Sequence, residues 1–186
     1  GCSDTVITNA YLFSKPVVNF TAPAEAKCEY EDLFFVNHST IYQGKMGAFW
    51  DFSYSNYSTL FNTEHRFNEA GTYQVTLKMV SEFDCTDSLS KLVIVKKTPE
   101  PGFVYDKLCS NDSTHFKNVS PEYAGLQAFY TWNFSEGPIQ TSRNVSKKWN
   151  SQGPKIVKLK SELSNGCQAE TEVSLNVLIQ ADANFN

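Results

Sequence analysis

The sequence predicts an all-β protein built from two consecutive two-sheet sandwiches, and three observations predict it. The composition favours strands: the 186 residues include 14 Phe, 9 Tyr and 3 Trp, and aromatic and β-branched side chains suit a pleated, half-buried surface. Apolar and polar residues alternate with period two in several segments, the pattern of a strand with one face in a core. Finally, the sequence repeats itself at a near-constant interval, from Cys28 to Cys109, from Trp50 to Trp132 and from Cys85 to Cys167. Self-similarity at a fixed interval marks a repeated structural unit.

The repeat orders everything else. The first copy reads Cys28, Phe35-x-Asn37-x-Ser39, Gly44, Trp50-Asp51-Phe52-Ser53, Phe67-Asn68, Gly71 and Cys85. The second reads Cys109, Phe116-x-Asn118-x-Ser120, Gly125, Trp132-Asn133-Phe134-Ser135, Trp149-Asn150, Gly153 and Cys167. The spacing from Cys85 to Phe103 recurs unchanged from Cys2 to Phe20 and from Cys167 to Phe185. The expected organisation is therefore a terminal strand of a preceding repeat over 1–13, complete repeats over 14–97 and 98–180, and the start of a following repeat over 181–186.

Within a repeat, Tyr73, Val75, Leu77 and Met79 alternate with polar residues, as do Val173, Leu175, Val177 and Ile179 with a mostly polar face. Leu33 to Val36 and Ala48 to Phe52 are apolar enough for interior strands. Asn, Ser and Gly fill the intervals, and no segment has helical periodicity. About seven short strands in a repeat of this size imply an immunoglobulin-like sandwich. The joints are short and proline-bearing, Ser14-Lys15-Pro16 and Lys97 to Gly102, which stiffens them and implies an extended rod. Trp50 and Trp132, each in mid-strand, are expected in the core with Tyr73, Phe67 and Trp149.

Charge and hydropathy exclude some functions. The net charge is −4, with no run of Lys or Arg, which argues against a nucleic-acid partner. No stretch approaches the roughly 20 apolar residues that span a bilayer, so no membrane insertion is expected. The five Cys fall at matched positions. The spacing suggests one disulfide per repeat, Cys28 with Cys85 and Cys109 with Cys167, leaving Cys2 free. Each bridge would contribute roughly 4 kcal/mol by closing a long loop and would place the protein in an oxidising, extracellular compartment.

Chemistry-bearing patterns are sparse. His38, His65 and His115 have no His counterpart in the other copy, and no nucleophile, phosphate-binding or metalloprotease motif is present, so no enzyme is expected. Glu31, Asp32 and Asp112 follow the first cysteine of each copy (with Glu29) and offer hard oxygen atoms for calcium, but a solvated acidic loop is the preferred reading of the same residues and no cofactor is expected. Tyr42, Tyr54 and Tyr57, with Phe61, lie in Ser/Asn-rich segments and are the candidates for a ligand-facing surface, with core packing of some of them an equal reading. Asn19, Asn37, Asn56, Asn111, Asn118, Asn133 and Asn144 each begin Asn-x-Ser/Thr.

Trp50-Asp51-Phe52 followed by Gly71-Thr72-Tyr73-Gln74-Val75-Thr76-Leu77 resembles the polycystic kidney disease-type (PKD) domain, which carries Trp-Asp-Phe-Gly-Asp-Gly and then Gly-x-Tyr-x-Val-x-Leu. The second copy keeps Trp132-x-Phe134 and Gly153 with Val157-x-Leu159, but has Asn133 for the Asp and Lys155 for the Tyr. Both copies lack the Gly-Asp-Gly turn, reading Ser53-Tyr54-Ser55 and Ser135-Glu136-Gly137. Gly1-Cys2-Ser3-Asp4-Thr5 is similar to repeats of large bacterial surface proteins, including the gliding adhesin exported by type IX secretion. The resemblance implies a structural and adhesive segment at the bacterial cell surface. Its partners would be neighbouring repeats and a surface polysaccharide or other extracellular ligand. The alternative that it implies is an accessory substrate-binding module of a secreted hydrolase.

Overall fold

A computed structural model describes residues 1–2, 4–6, 12–54 and 56–179. The expected opening of a following repeat, 181–186, lies outside the described residues, as does part of the expected terminal strand. The chain divides into two compact units, Gly1–Val95 and Lys96–Asn186, and the described residues form strands and turns with no helix.

Unit 1 holds β1 (Phe20–Thr21), β2 (Lys27–Cys28), β3 (Asp32–Asn37), β4 (Met46–Asp51), β5 (Tyr57–Ser58), β6 (Thr63–Arg66), β7 (Gly71–Ser81) and β8 (Thr86–Lys96). One sheet runs β1-β3-β6 and the other β2-β8-β7-β4-β5. Unit 2 holds β9 (Phe103–Tyr105), β10 (Ser113–Asn118), β11 (Ala128–Phe134), β12 (Val145–Lys148), β13 (Gly153–Leu163) and β14 (Gln168–Val177). Its sheets run β12-β10-β9 and β11-β13-β14. Where unit 1 has β2 and β5, unit 2 has single bridges, Cys109 to Leu178 and Trp132 to Gln140. The two units are thus the same immunoglobulin-like sandwich element for element.

Alternation sorts each strand into an inner and an outer face. On β3, Leu33 and Phe35 are buried while Phe34 and Val36 are exposed. The apolar run read as an interior strand is therefore two-faced. On β7, Val75, Leu77 and Met79 are buried and pair across the ladder with β4 and β8. On β14 the pattern stops at Val177, the last partner of Gly153. Ile179, expected to continue the inward series, is exposed because the ladder that would hold it has ended.

The core of unit 1 gathers Phe20, Leu33 and Phe35 from one sheet against Trp50, Val75, Leu77, Val93 and Val95 from the other. Trp50 is 0% exposed. Its ring meets Phe20 edge-on at 5.1 Å, and its Nε1–H donates to the Leu60 carbonyl at 3.0 Å. Trp132 repeats the arrangement, edge-on to Phe103 at 5.2 Å and donating to the Ser142 carbonyl at 3.0 Å. The buried polar atom is satisfied without water, as a core indole requires.

The Asn-x-Ser marker is structural as well. The Ser39 N–H donates to Asn37 Oδ1 at 2.8 Å, and the Asn37 N–H donates to Asn62 Oδ1 at 2.9 Å. In unit 2 the Ser120 N–H donates to Asn118 Oδ1 at 2.8 Å and the Asn118 N–H to Asn144 Oδ1 at 2.9 Å. Asn37 and Asn118 are buried, so these two Asn-x-Ser triplets pin the end of β3 and β10 and present no acceptor amide to solvent.

The cysteine pairing read from the spacing is not formed. Cys85 and Cys109 carry free thiols, as does the exposed Cys2, while Cys28 and Cys167 are each disulfide-bonded. Geometry supplies the reason. Cys85 follows the β7–β8 turn, where the Ser81 N–H donates to the Cys85 carbonyl. Cys28 sits at the other end of β7, since Glu29 and Tyr30 next to it bond Ala70 and Phe67 just before Gly71. The 11 residues of β7 span about 35 Å at roughly 3.3 Å per residue, and a disulfide needs Cα atoms within about 7 Å. Cys167, at the β13–β14 turn, and Cys109, beside Leu178, are separated in the same way.

Replacing Trp132 by Ala should cost unit 2 about 3–5 kcal/mol. Urea unfolding followed by circular dichroism should show an early transition for half of the signal. Trp132→Phe should cost less, chiefly the orphaned Ser142 carbonyl.

Candidate functional site

Unit 1 opens a cleft of 490 Å³ at the end of its sheets that bears Gly71, walled by Phe52, Tyr54, His65, Phe67 and Tyr73. Its rings form a chain leading out of the core. Phe52 lies parallel to Trp50, with centroids 6.3 Å apart. His65, placed on β6 by its pairing with Leu33, stacks on Phe52 at 4.3 Å and 8°. Phe67 meets His65 edge-on at 4.5 Å, Tyr73 leans on Phe67 at 4.1 Å, and Tyr54 meets Tyr73 edge-on at 6.2 Å.

The turn after β4 aims Tyr54. Asp51 Oδ1 accepts the Ser53 N–H at 2.8 Å, and Ser53 Oγ donates to the Gln74 carbonyl at 3.1 Å. Ser53 and Tyr54 hold φ of +73° and +52°, the left-handed region that costs a non-glycine residue of order 1 kcal/mol. These are the positions where the PKD motif carries Gly-Asp. The turn is kept without its glycine, and the strained backbone leaves Tyr54 85% exposed at the mouth.

The cleft carries a carboxylate, Glu69, among its rings. Burial pushes the His65 imidazole below its ordinary value, so it is neutral at neutral pH. Burial, then Glu69 and Tyr54, push the Tyr73 phenol up, and its hydroxyl donates to the Glu69 carbonyl at 2.7 Å. The Arg66 guanidinium is engaged in two parallel hydrogen bonds to Asp32, 2.8 and 2.7 Å, which hold that carboxyl below the usual carboxylate range. Beside the Glu69 carboxylate stands a row of ring faces and neutral polar edges, suited to stacking against a flat apolar face.

Unit 2 fills the same place. Glu136, Lys147, Trp149 and Lys155 occupy the repeat positions of Tyr54, His65, Phe67 and Tyr73. Lys147 Nζ donates to the Glu136 carbonyl at 2.6 Å. Lys155 Nζ lies 3.5 Å from Glu136 Oε1, an ion-pair contact that leaves the oxygen without a hydrogen bond. Both ammonium groups sit over the Trp149 ring, at 5.6 and 6.0 Å. The larger indole is accommodated by Thr114, which replaces Leu33 of unit 1 and accepts its Nε1–H at 3.0 Å.

The structure separates the three tyrosines. Tyr42 is 95% exposed in the loop leading to Met46, which pairs with Ser81 at the opposite end of β4 from Tyr54. Tyr57 lies on β5 and stacks on Phe49 at 5.8 Å. Of the three, Tyr54 alone reaches the cleft. The core candidates Trp50, Trp132, Phe67 and Trp149 are buried, while Tyr73 is half-buried as a cleft wall. The calcium candidates are not brought together: Asp32 is bound by Arg66, Asp112 pairs with Lys107, and Glu31 is exposed on its own turn. Among the described residues no group of three or more His, Cys, Asp or Glu side chains is gathered for a metal ion. Sequence reading missed His65 and Tyr73 as cleft residues. Their signal was the very divergence between copies, Lys147 and Lys155 standing in their places.

No family model matches the chain, and no curated protein matches it. Among solved structures it is similar to the PKD1 domain of Vibrio anguillarum Epp, 21% identical over 45% of this chain and 95% of that one, TM-score 0.40. It is also similar to carbohydrate-binding modules of the β-sandwich superfamily, 14% identical over 78% of this chain and 58% of that one, TM-score 0.45. A third is a 1.5-MDa bacterial ice-binding adhesin, 6% identical over 94% and 67%, TM-score 0.38.

His65 carries a pH signature. Its folded value lies below its unfolded one, so the unfolded chain takes up the proton first. Stability is fully present above the unfolded value, near 6.5, and falls as the pH drops from there toward the folded value. The urea midpoint of the wild type should fall relative to that of His65→Phe between pH 7 and 5. Parallel curves would show that the ring is not desolvated.

Proposed function

We propose that this chain is a non-catalytic structural and adhesive segment of a secreted bacterial surface protein. In this reading its sandwiches are spacers, and the aromatic cleft of unit 1 contacts a neutral surface polysaccharide. The observation that carries it is the contrast between the two units. They share the core and the turn framework, yet unit 1 keeps an open aromatic cleft where unit 2 plugs the same place with two lysines. The copies differ at many positions, but at this rim the exchange changes what the surface offers a ligand, and the rim of a shared scaffold is where a grafted function sits. The disulfide-bonded Cys28 and Cys167 suit an oxidising exterior, and no helix among the described residues is long and apolar enough to cross a membrane. Service in gliding over a surface belongs to the same reading.

The test is titration of the protein with soluble neutral polysaccharides, watched by calorimetry. Tyr54→Ala should weaken binding about tenfold, the loss of one stacking ring, while Tyr42→Ala leaves it unchanged. Equal affinities for wild type and Tyr54→Ala would end the cleft reading. An antibody raised to the chain should label the surface of producing cells. Label found mainly in the medium, on a protein of ordinary enzyme size, would favour the accessory module of a hydrolase.

A further inference from the structure

Each unit carries one cysteine at the tip of its long hairpin and one at the opposite end. The tip cysteine follows a residue in the left-handed region, Asp84 before Cys85 and Gly166 before Cys167, with φ of +60° and +87°. The Leu163 N–H donates to the Cys167 carbonyl as the Ser81 N–H does to that of Cys85, both at 2.9 Å. The lower cysteine precedes a left-handed residue two positions on, Tyr30 after Cys28 and Asn111 after Cys109, with φ of +68° and +63°. The Tyr30 and Asn111 N–H groups donate to the Phe67 and Trp149 carbonyls, both at 3.0 Å. The two sites are therefore built alike in both copies.

Their oxidation state differs between copies. One lower cysteine, Cys28, and one tip cysteine, Cys167, are disulfide-bonded. The remaining tip cysteine, Cys85, and the remaining lower cysteine, Cys109, hold free thiols, each half-buried. The length of the hairpin rules out a bridge inside one unit. Both kinds of position are thus of the bridging kind, and each has an unbridged twin.

We propose that Cys85 and Cys109 are the points at which a further copy is covalently attached, the Cys109 of one chain bonding the Cys85 of a second. The oxidant is a low-molecular-weight disulfide. The Cys85 thiolate attacks one of its sulfurs, forming a mixed disulfide and releasing one small thiolate. The Cys109 thiolate of the second copy then attacks the Cys85 sulfur, closing the protein disulfide and releasing the other small thiolate. Two protein thiols lose two electrons, and the small disulfide gains them. The two protons pass to the released thiolates.

The experiment uses the chain with Cys2→Ser, to remove the exposed thiol, held at high concentration in a buffer of oxidised and reduced glutathione. Non-reducing electrophoresis should show a ladder of covalent oligomers that reductant collapses. Mass spectrometry of the proteolysed ladder should find Cys85 joined to Cys109. Cys85→Ser and Cys109→Ser should each abolish the ladder, with the native circular dichroism melt retained as proof of folding. Monomer alone, or Cys85–Cys85 and Cys109–Cys109 links as abundant as the mixed one, would overturn the proposal. So would peptides joining Cys28 to Cys85 or Cys109 to Cys167. Polysaccharide binding by the monomer is read separately, so failure here leaves the cleft reading intact.

Discussion

A buried indole holds each sandwich together. Trp50 and Trp132 stand on β4 and β11, the strands paired with the long β7 and β13, reach across the core to the Phe of the opposing sheet, and donate a hydrogen bond to the chain that passes between sheets. Three constraints are met by one side chain: the spacing of the layers, the fill of the core, and the path of the connecting loop. Phe52 and Phe134 then lie parallel to the indoles, at 6° and 5°, so the aromatic packing continues to the rim in both units.

That continuation is why the rim can change without harm to the scaffold. In unit 1 the ring chain runs on through His65, Phe67 and Tyr73 to Tyr54 and stays open. In unit 2 it stops at Trp149, whose extra bulk is matched by Thr114 in place of Leu33 and whose outer face is covered by Lys147 and Lys155. The substitutions are coupled. A Trp beside a leucine would bury an N–H with no acceptor, at a cost of about 1–3 kcal/mol, and a lysine without the indole and Glu136 would bury an unpaired charge. A handful of exchanged residues converts an open cleft into a closed surface.

The disulfide chemistry follows from the same architecture. A sandwich hairpin built on a strand as long as β7 keeps its turn and its open end far apart, so cysteines at those two places cannot meet inside the unit. The tip thiol of unit 1 and the lower thiol of unit 2, Cys85 and Cys109, are accordingly free. The proposed covalent attachment and the proposed ligand contact are compatible on this fold, because one uses the hairpin ends and the other a row of rings beside them.

Much of this was legible in the sequence. The near-constant interval between copies, the alternation on β7 and the mid-strand tryptophans determine two like sandwiches, because strand period and core composition are local properties of a chain. The polar marker Phe-x-Asn-x-Ser was visible too, although only the structure showed it as a buried hydrogen-bond network. Tertiary structure alone decided which cysteines can meet, since matched spacing says nothing of which end of a hairpin a residue occupies. It also decided that Tyr54 shares a cleft with His65 and Tyr73, while Tyr42 and Tyr57 stand elsewhere. Those three come from different strands and turns, and which side chains from separate strands converge is set by the register and twist of the sheets, which no single segment encodes.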